Sequence, residues 1–307
     1  MSSLLNIEML FDVSKNNYSF VNDMIIIAGP TGVGKSKIAI ELAKTIDGVL
    51  INADSVQVYK DLLLLSARPS KLDIQKVPHF LYGYVDSDIN YSVVDWLLEL
   101  KKTLIDIELK NKIPILVGGS GLYINSVING LANIPAISEK IKNESLLKFN
   151  EVGIEKFREI NFKIDPKFVR NSLDKHRLLR AYGVFLQTKK NISFWHNQPR
   201  VKNINKNIYS FFINSERKSI YKKCDLRFDD MLKKGAIEEV KKLYYLKIDR
   251  SLPISKSLGV KWLLSYLDNN IPYDQAVKLS KRDTRRYVKR QFTWFAHNYL
   301  SYKTLEL

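Results

Sequence analysis

The apolar positions in the first third of the chain follow two alternating patterns. Unbroken apolar runs at residues 24–28, 48–52 and 113–117 have the length and β-branched content of buried strands, whereas residues 36–46 and 92–110 return an apolar side chain every third or fourth position, the period of a helix lying on a core. Strands joined in turn by helices predict a parallel sheet with helices on its faces. Between residues 139 and 192 the strand pattern disappears. The runs "EKIKNESLLKFNEVGIEKFREI" and "DPKFVRNSLDKHRLLRAYGVFLQ" read as charged amphipathic helices. Then "NIYSFFINS", residues 207–215, reads as a return strand for the same sheet, followed by long helices to the end. The expected organisation is an N-terminal extension (1–22), a core in two pieces (23–125 and 206–307) and a helical insertion (126–205). The stretch "NQPRVKNINKN" carries the chain between them. No internal repeat or low-complexity tract interrupts this plan.

The first strand runs into "GPTGVGKS", residues 29–36. The spacing Gly29-x-x-x-x-Gly34-Lys35-Ser36 is the P-loop pattern of nucleotide-binding and ATP-binding proteins, in which backbone N–H groups wrap a diphosphate, a lysine neutralises it and a hydroxyl holds Mg²⁺. Gly29, Pro30, Thr31, Gly32, Val33, Gly34, Lys35 and Ser36 are therefore candidate phosphate-binding residues, with Ser36 the candidate metal ligand. The fold class that follows is α/β, a P-loop NTPase-like parallel sheet flanked by helices, with a helical insertion domain. An ordinary P-loop ATPase adds a second strand ending in Asp. Here that strand is "KIPILVGGSGLY", which carries no carboxylate and ends in Gly118, Gly119 and Ser120. The carboxylate that emerges beside the loop is Asp54, in "INADSVQVYKD", at the carboxyl end of the second strand, where open α/β sheets place ligands. Its type and place suit a general base, a hydrogen-bond partner for an acceptor, or a simple helix cap.

Charge adds a partner to this picture. Lys and Arg number 49 against 32 Asp and Glu, giving a net charge of +17, which points to a polyanion such as nucleic acid or to a Lys-, Asn- and Ile-rich compositional bias. Cys224 is the sole cysteine, so the chain holds no intramolecular disulfide and no cysteine-based zinc site, and a reducing, cytoplasmic setting is expected. No apolar run approaches the roughly 20 residues of a membrane span. The opening residues, with Glu8 and Asp12, suit neither a signal nor a transit peptide and read as an appendage to the core or a mis-called start.

Taken in order, "GPTGVGKS", "DSVQVYKDL", "VPHFLYGYVDSDINYSVVDW", "ILVGGSGLYI", "DKHRLLRAYGVF", "RFDDMLKKGAIEEV", "KSLGVKWL" and "TRRYVKRQFTWF" resemble the tRNA dimethylallyltransferases, also called isopentenyltransferases. The resemblance covers most of the chain, and the last segment together with "VGGSGLY" is its most specific part. It implies transfer of a dimethylallyl group from dimethylallyl diphosphate to N6 of the adenine beside the anticodon (position 37), giving N6-isopentenyladenosine and diphosphate. The P-loop would then hold the diphosphate of the prenyl donor and not ATP, with Mg²⁺ as cofactor and a monomer as the working form.

The same resemblance assigns roles residue by residue. Lys35 is the electrostatic clamp, and Asp54 hydrogen-bonds the adenine amine and takes its proton. Ser120 lies near the bridging oxygen of the donor, and Arg227 lies on the phosphates. The tRNA anticodon stem-loop falls to Asp54, Ser55, Val56 and Gln57, to Ser120 and Lys142, to His176, Arg177, Leu178, Leu179 and Arg180, and to Lys256, Ser257, Leu258, Gly259, Val260 and Lys261. Arg177 and Arg180, three apart on a helix, share a face. In "KRDTRRYVKRQFTWF" the cations are expected to serve function while Tyr287, Phe292 and Phe295 serve the core. His79 reads as a structural hydrogen-bonding residue. Two departures touch the periphery: "SARPS" at 66–70 stands where the family commonly has Gly-Thr-Ala-Lys-Pro, and Gly183 replaces a helix-favouring acid. Competing readings are a small-molecule kinase, a prenyltransferase acting on free AMP, and an RNA-binding module with a degenerate loop.

Overall fold

The computed structural model describes residues 11, 18–19, 21–169, 174–202, 204–299 and 303–306. The chain forms two compact units, Met1–Ile128 with Asn203–Leu307, and Asn129–Lys202. Because β1 (Asp23–Ala28) is buried throughout, it tolerates apolar side chains on both faces, which is why its isoleucines do not alternate with polar residues. It is followed by α1 (Lys35–Thr45), β2 (Gly48–Asn52), α2 (Lys71–Lys76), β3 (His79–Phe80), α3 (Val93–Leu109), β4 (Ile113–Gly118) and α4 (Gly121–Ile128). Reciprocal capping boxes start two of these helices, Ser70 with Asp73 on α2 and Ser92 with Asp95 on α3.

The second unit holds β5 (Leu131–Ala132), α5 (Glu139–Ile164), α6 (Pro166–Val169), α7 (Lys175–Thr188), α8 (Ile192–His196) and β6 (Arg200–Val201). Antiparallel pairing of Leu131 with Val201 and of Ala132 with Arg200 ties its two ends together. Phe157, Val169 and Leu178 form its own small core. The expected helices are cut differently here: α5 breaks at Gly153, and the run from Asp165 is not one helix, because Asp174 starts α7 afresh by accepting from the N–H of Arg177. Gly183 owes its place to packing. A β-carbon there would meet Ile137 at 3.1 Å and Ser145 at 3.4 Å, so the small residue lets α7 approach its neighbours.

Back in the first unit come β7 (Asn207–Asn214), α9 (Arg217–Lys233), α10 (Ala236–Tyr245), α11 (Val260–Leu267), α12 (Tyr273–Asn298) and β8 (Lys303–Glu306). The sheet order is β3-β2-β4-β1-β7-β8, with every pairing parallel. Helices to the end are therefore a misreading: "KTLE" adds an edge strand, too short to show a period in sequence, and anchors it with buried Leu305. The reading of residues 1–22 as an appendage also needs correction where they are described. Phe11 is fully buried in the main core, its ring edge-on to Phe211 with centroids 4.6 Å apart, and Tyr18 meets Tyr209 at 4.9 Å. No described helix is long and apolar enough to cross a membrane.

Truncating a buried aromatic leaves a cavity that the sheet face cannot close, so Phe11→Ala is expected to cost about 3–5 kcal/mol in urea unfolding. An unchanged midpoint would mean that Phe11 contributes nothing to the core.

Candidate active site

Three neighbouring strands leave the sheet at the same edge. β1 opens into the P-loop, β2 into Asn52-Ala53-Asp54 and β4 into Gly118-Gly119-Ser120. Asn52, fully buried, aims the middle segment: its Nδ2 donates to the carbonyls of Asp54 (2.9 Å) and Leu81 (3.0 Å), and its Oδ1 accepts from Asp54 N–H. Trp96 Nε1 holds the Asn52 carbonyl at 3.0 Å. One carboxylate oxygen of Asp54 accepts from Val56 N–H at 2.9 Å, an Asx-type turn that fixes the side chain and leaves the other oxygen to the cavity.

The P-loop ends at Gly34, whose φ of 102° belongs to the left-handed region that glycine enters at little cost. Gly34 is the N-cap of α1 and supplies no side-chain cap, so first-turn N–H groups point out of the helix as donors for an anion. Lys35 Nζ donates to the Pro30 carbonyl at 2.8 Å. Burial among loop atoms pushes its ammonium down to about 8, against the pull of Asp54, and Arg227 adds to the depression. Thr31 is held from two helices: Arg227 of α9 donates to its hydroxyl at 2.7 Å, and Gln291 of α12 accepts from its N–H at 3.0 Å.

Two cavities meet at these residues. One, of about 290 Å³, is lined by Lys35, Ser36, Lys37, Lys223, Tyr82 and Gln291; the other, of about 270 Å³, by Val56, Leu65, Phe228, Met231, Tyr287 and Arg290. Thr31, Asp54, Ser66 and Arg227 line both. The first is a cationic cradle, and the second combines apolar walls with an arginine. Ser120 stands beside their junction, its Oγ accepting from Ser55 N–H at 3.0 Å, and Gly29, Pro30, Gly32 and Val33 shape the loop behind it.

Several expected contacts are placed otherwise. Leu178 and Val260 are buried core residues, placed by apolar spacing; Val33 turns its side chain into the core from within the P-loop, and Ser257, its hydroxyl on the Pro253 carbonyl, is buried at the wall of the second cavity. Gln57 spends its amide nitrogen on the carbonyls of Ser66 (2.9 Å) and Ala67 (3.1 Å). Arg68 binds the Tyr59 and Lys60 carbonyls at 3.1 Å each and so serves the loop. Lys256 and Leu258 line the second cavity, Gly259 is buried, and Lys261 lies over the Trp262 ring at 4.4 Å. On the helical unit His176, Arg177 and Arg180 are exposed on α7, Leu179 packs on the small core, and Lys142 pairs with Glu139. The cations of α12 are partly consumed by ion pairs, Lys281 with Asp229 and Arg285 with Asp225. Phe295 and Phe292 join the core, but Tyr287 does not: it walls the second cavity, its pKa raised by burial and by Asp54. His79 binds the Val77 carbonyl at 2.8 Å, as a structural histidine does. Sequence reading missed Asn52, Tyr82 and Gln291, whose signals lie in contacts across 29 to 260 residues.

Among the described residues no group of three or more His, Cys, Asp or Glu side chains converges on a metal position. The Ser36 hydroxyl, facing the cationic cavity, fits a hard cation that takes the rest of its shell from water and phosphate oxygens.

A P-loop after β1, an acid just past the end of β2 and a carboxylate-free β4 between them define a P-loop group-transfer protein. A family model described as IPP transferase matches residues 57–298. The chain is 39% identical over 280 residues to the tRNA dimethylallyltransferase of Ehrlichia ruminantium, covering 91% of this chain and 93% of that one. Identity to the tRNA dimethylallyltransferase of Pelagibacter ubique is 40%, covering 88% and 87%. Among solved structures, the tRNA isopentenylpyrophosphate transferase of Bacillus halodurans is similar with a TM-score of 0.68 at 30% identity, covering 93% and 90%. A eukaryotic dimethylallyltransferase acting on tRNA is similar with a TM-score of 0.78 at 26% identity, covering 93% and 74%. The chain belongs to the tRNA dimethylallyltransferase family.

Because Lys35 is charged below about 8 and neutral above it, anion affinity is expected to be full on the acid side and to fall as pH rises through that value. Calorimetric titration with inorganic diphosphate checks this against Lys35→Gln, in which the ligand's own titration remains but the fall in affinity near that value should be lost.

Proposed function

We propose that this chain transfers a dimethylallyl group from dimethylallyl diphosphate to N6 of the adenine next to the anticodon of tRNA. The observation that carries the reading is the pair of cavities sharing Thr31, Asp54, Ser66 and Arg227, one cationic and built on a P-loop, the other with apolar and aromatic walls. The diphosphate lies in the first, against the P-loop amides, Lys35 and Arg227, and the allyl group points toward the second. The adenine enters the second cavity from the tRNA side, between apolar walls that exclude water from the developing allylic cation.

The bond from the allylic carbon to the diphosphate oxygen breaks as a bond from N6 to that carbon forms. Lys35, Arg227 and the loop amides absorb the charge that accumulates on the leaving diphosphate. An adenine amine is a weak nucleophile because its lone pair is delocalised into the ring, so Asp54 accepts the N6 proton as the bond forms. Ser120, held to Ser55, fixes the position of the bridging oxygen. Ser36 would hold Mg²⁺, which would add charge neutralisation at the diphosphate.

The tRNA backbone meets exposed cations. Arg177 and Arg180 on α7 are three residues apart on one helix, and Arg177 is braced over the Phe168 ring at 5.3 Å, which limits the freedom lost on binding a phosphate. The enzyme works as a monomer in the cytoplasm, where its substrates are.

The test is mass spectrometry of nucleosides from tRNA incubated with the pure protein, dimethylallyl diphosphate and Mg²⁺. N6-isopentenyladenosine is expected, with free AMP a poor acceptor; its absence alongside phosphorylation of a small molecule by ATP would replace this reading with a kinase.

Asp54→Asn keeps shape and one acceptor oxygen but takes no proton, so single-turnover transfer with prebound tRNA should fall roughly a hundred- to ten-thousandfold while donor affinity holds. Recovery of the rate with excess Mg²⁺ would make Asp54 a metal ligand instead. Arg177→Ala and Arg180→Ala should each weaken tRNA binding and lower the salt-dependence slope by roughly one unit, with donor affinity unchanged.

A further inference from the structure

Thr31 is tied down at each of its polar groups. Its N–H donates to Gln291 Oε1 at 3.0 Å, its carbonyl accepts from Cys224 Sγ at 3.6 Å, and its hydroxyl accepts from Arg227 at 2.7 Å. Gln291 turns its other edge away from the loop, with Nε2 donating to the Gly119 carbonyl at 2.9 Å. The side chain is only 5% exposed. Its orientation is forced, since an amide N–H requires an acceptor on one side and a carbonyl requires a donor on the other; a carboxylate or a hydrocarbon of the same length cannot serve both.

Gly119 is shaped around this contact. A β-carbon there would overlap Gln291 Nε2 and lie 2.9 Å from the Gly29 carbonyl, so the residue between the P-loop and α12 must be glycine. The next residue is Ser120, whose hydroxyl accepts from the N–H of Ser55, the neighbour of Asp54. One buried amide therefore joins the donor cradle at Thr31 to the turn that holds Ser120 and, through Ser55, to the acceptor side.

We propose that Gln291 is a positioning residue that sets the spacing between the diphosphate cradle and the Asp54–Ser120 pair. Its side chain borders the first cavity, but both polar atoms of its amide are spent on the backbone of Thr31 and Gly119, so it acts through those two partners. The inference rests on the assignment of the P-loop to the prenyl donor. Misplacement of reacting groups by about 1 Å is worth on the order of a hundredfold in rate, so the effect belongs to kcat and not to either substrate's binding.

The experiment compares Gln291→Met and Gln291→Glu with the natural enzyme, measuring kcat and both KM values for transfer from dimethylallyl diphosphate to tRNA, with a thermal melt of each protein. Gln291→Met is expected to lose at least about tenfold in kcat with each KM within about threefold. Gln291→Glu carries the sharper readout. Protonated, its O–H donates to Gly119 as the amide does and its carbonyl accepts from Thr31; ionised, it sets two oxygens against each other in a buried site. The ratio of its kcat to that of the natural enzyme should therefore fall at least about tenfold as pH rises from about 5.5 to about 8, the direction in which a buried carboxyl, its pKa raised, loses its proton.

A flat ratio across that range, or a Gln291→Met enzyme with natural kcat, overturns the proposal. If Gln291→Met fails to fold, the pH-dependent ratio in Gln291→Glu decides alone. Failure of the underlying reading looks different, because the natural enzyme itself would then transfer no prenyl group.

Discussion

The register of β1 between β4 and β7 is the constraint on which the site depends. Ile27 lies opposite Val117 on one side and Phe211 on the other, and Ala28 opposite Gly118 and Phe212, so the P-loop and the Gly118–Ser120 turn leave the sheet at one level. A slip of one residue moves a strand end by about 3.3 Å and turns its side chains to the opposite face. Close packing of buried side chains on both faces makes such a slip costly. Every polar contact at the edge, from Asn52 through Ser120 to Gln291, is then a local refinement of distances the backbone has already brought within hydrogen-bonding reach.

Charge at this edge is arranged against the grain of solvation. Lys35 sits where burial disfavours its ammonium, with Asp54 close enough to offset part of the cost, so the site is held short of neutralisation until an anion arrives. The net charge of +17 exaggerates what tRNA meets, because Lys281 and Arg285 are bound to acids of α9 and stiffen the pairing of α12 with that helix. The exposed arginines of α7 and the exposed Arg290 at the second cavity carry more of the available field.

What could be read from the sequence were features with a short period or a short motif. The strands, the helix after the P-loop, Asp54 at a strand end and the helical insertion all follow from patterns contained within about twenty residues. The misreadings share a cause. Leu178 and Val260 sit inside motifs whose charged neighbours are exposed, and a motif does not say which of its members face the core. Tyr287 occupies a helical position that fits a core residue equally well, and its place in the wall of the second cavity appears only once α12 is folded against the site. Phe11 and Leu305 lie in segments too short to display a period, yet each fills the same core. Gln291 is separated from Thr31 by 260 residues, and no local signal marks such a pairing.

That separation has a consequence for biogenesis. The P-loop leaves the ribosome before the groups that fasten Thr31, which come from α9 and α12, and Gln291 is synthesised on the order of tens of seconds after it. β7, which flanks β1, also follows the whole helical insertion. An incomplete chain therefore carries the lysine and the glycines of the loop without the struts that give them shape. Anion binding becomes a property of the finished polypeptide, and a nascent chain surrounded by tRNA at the ribosome has no assembled cradle with which to act on it.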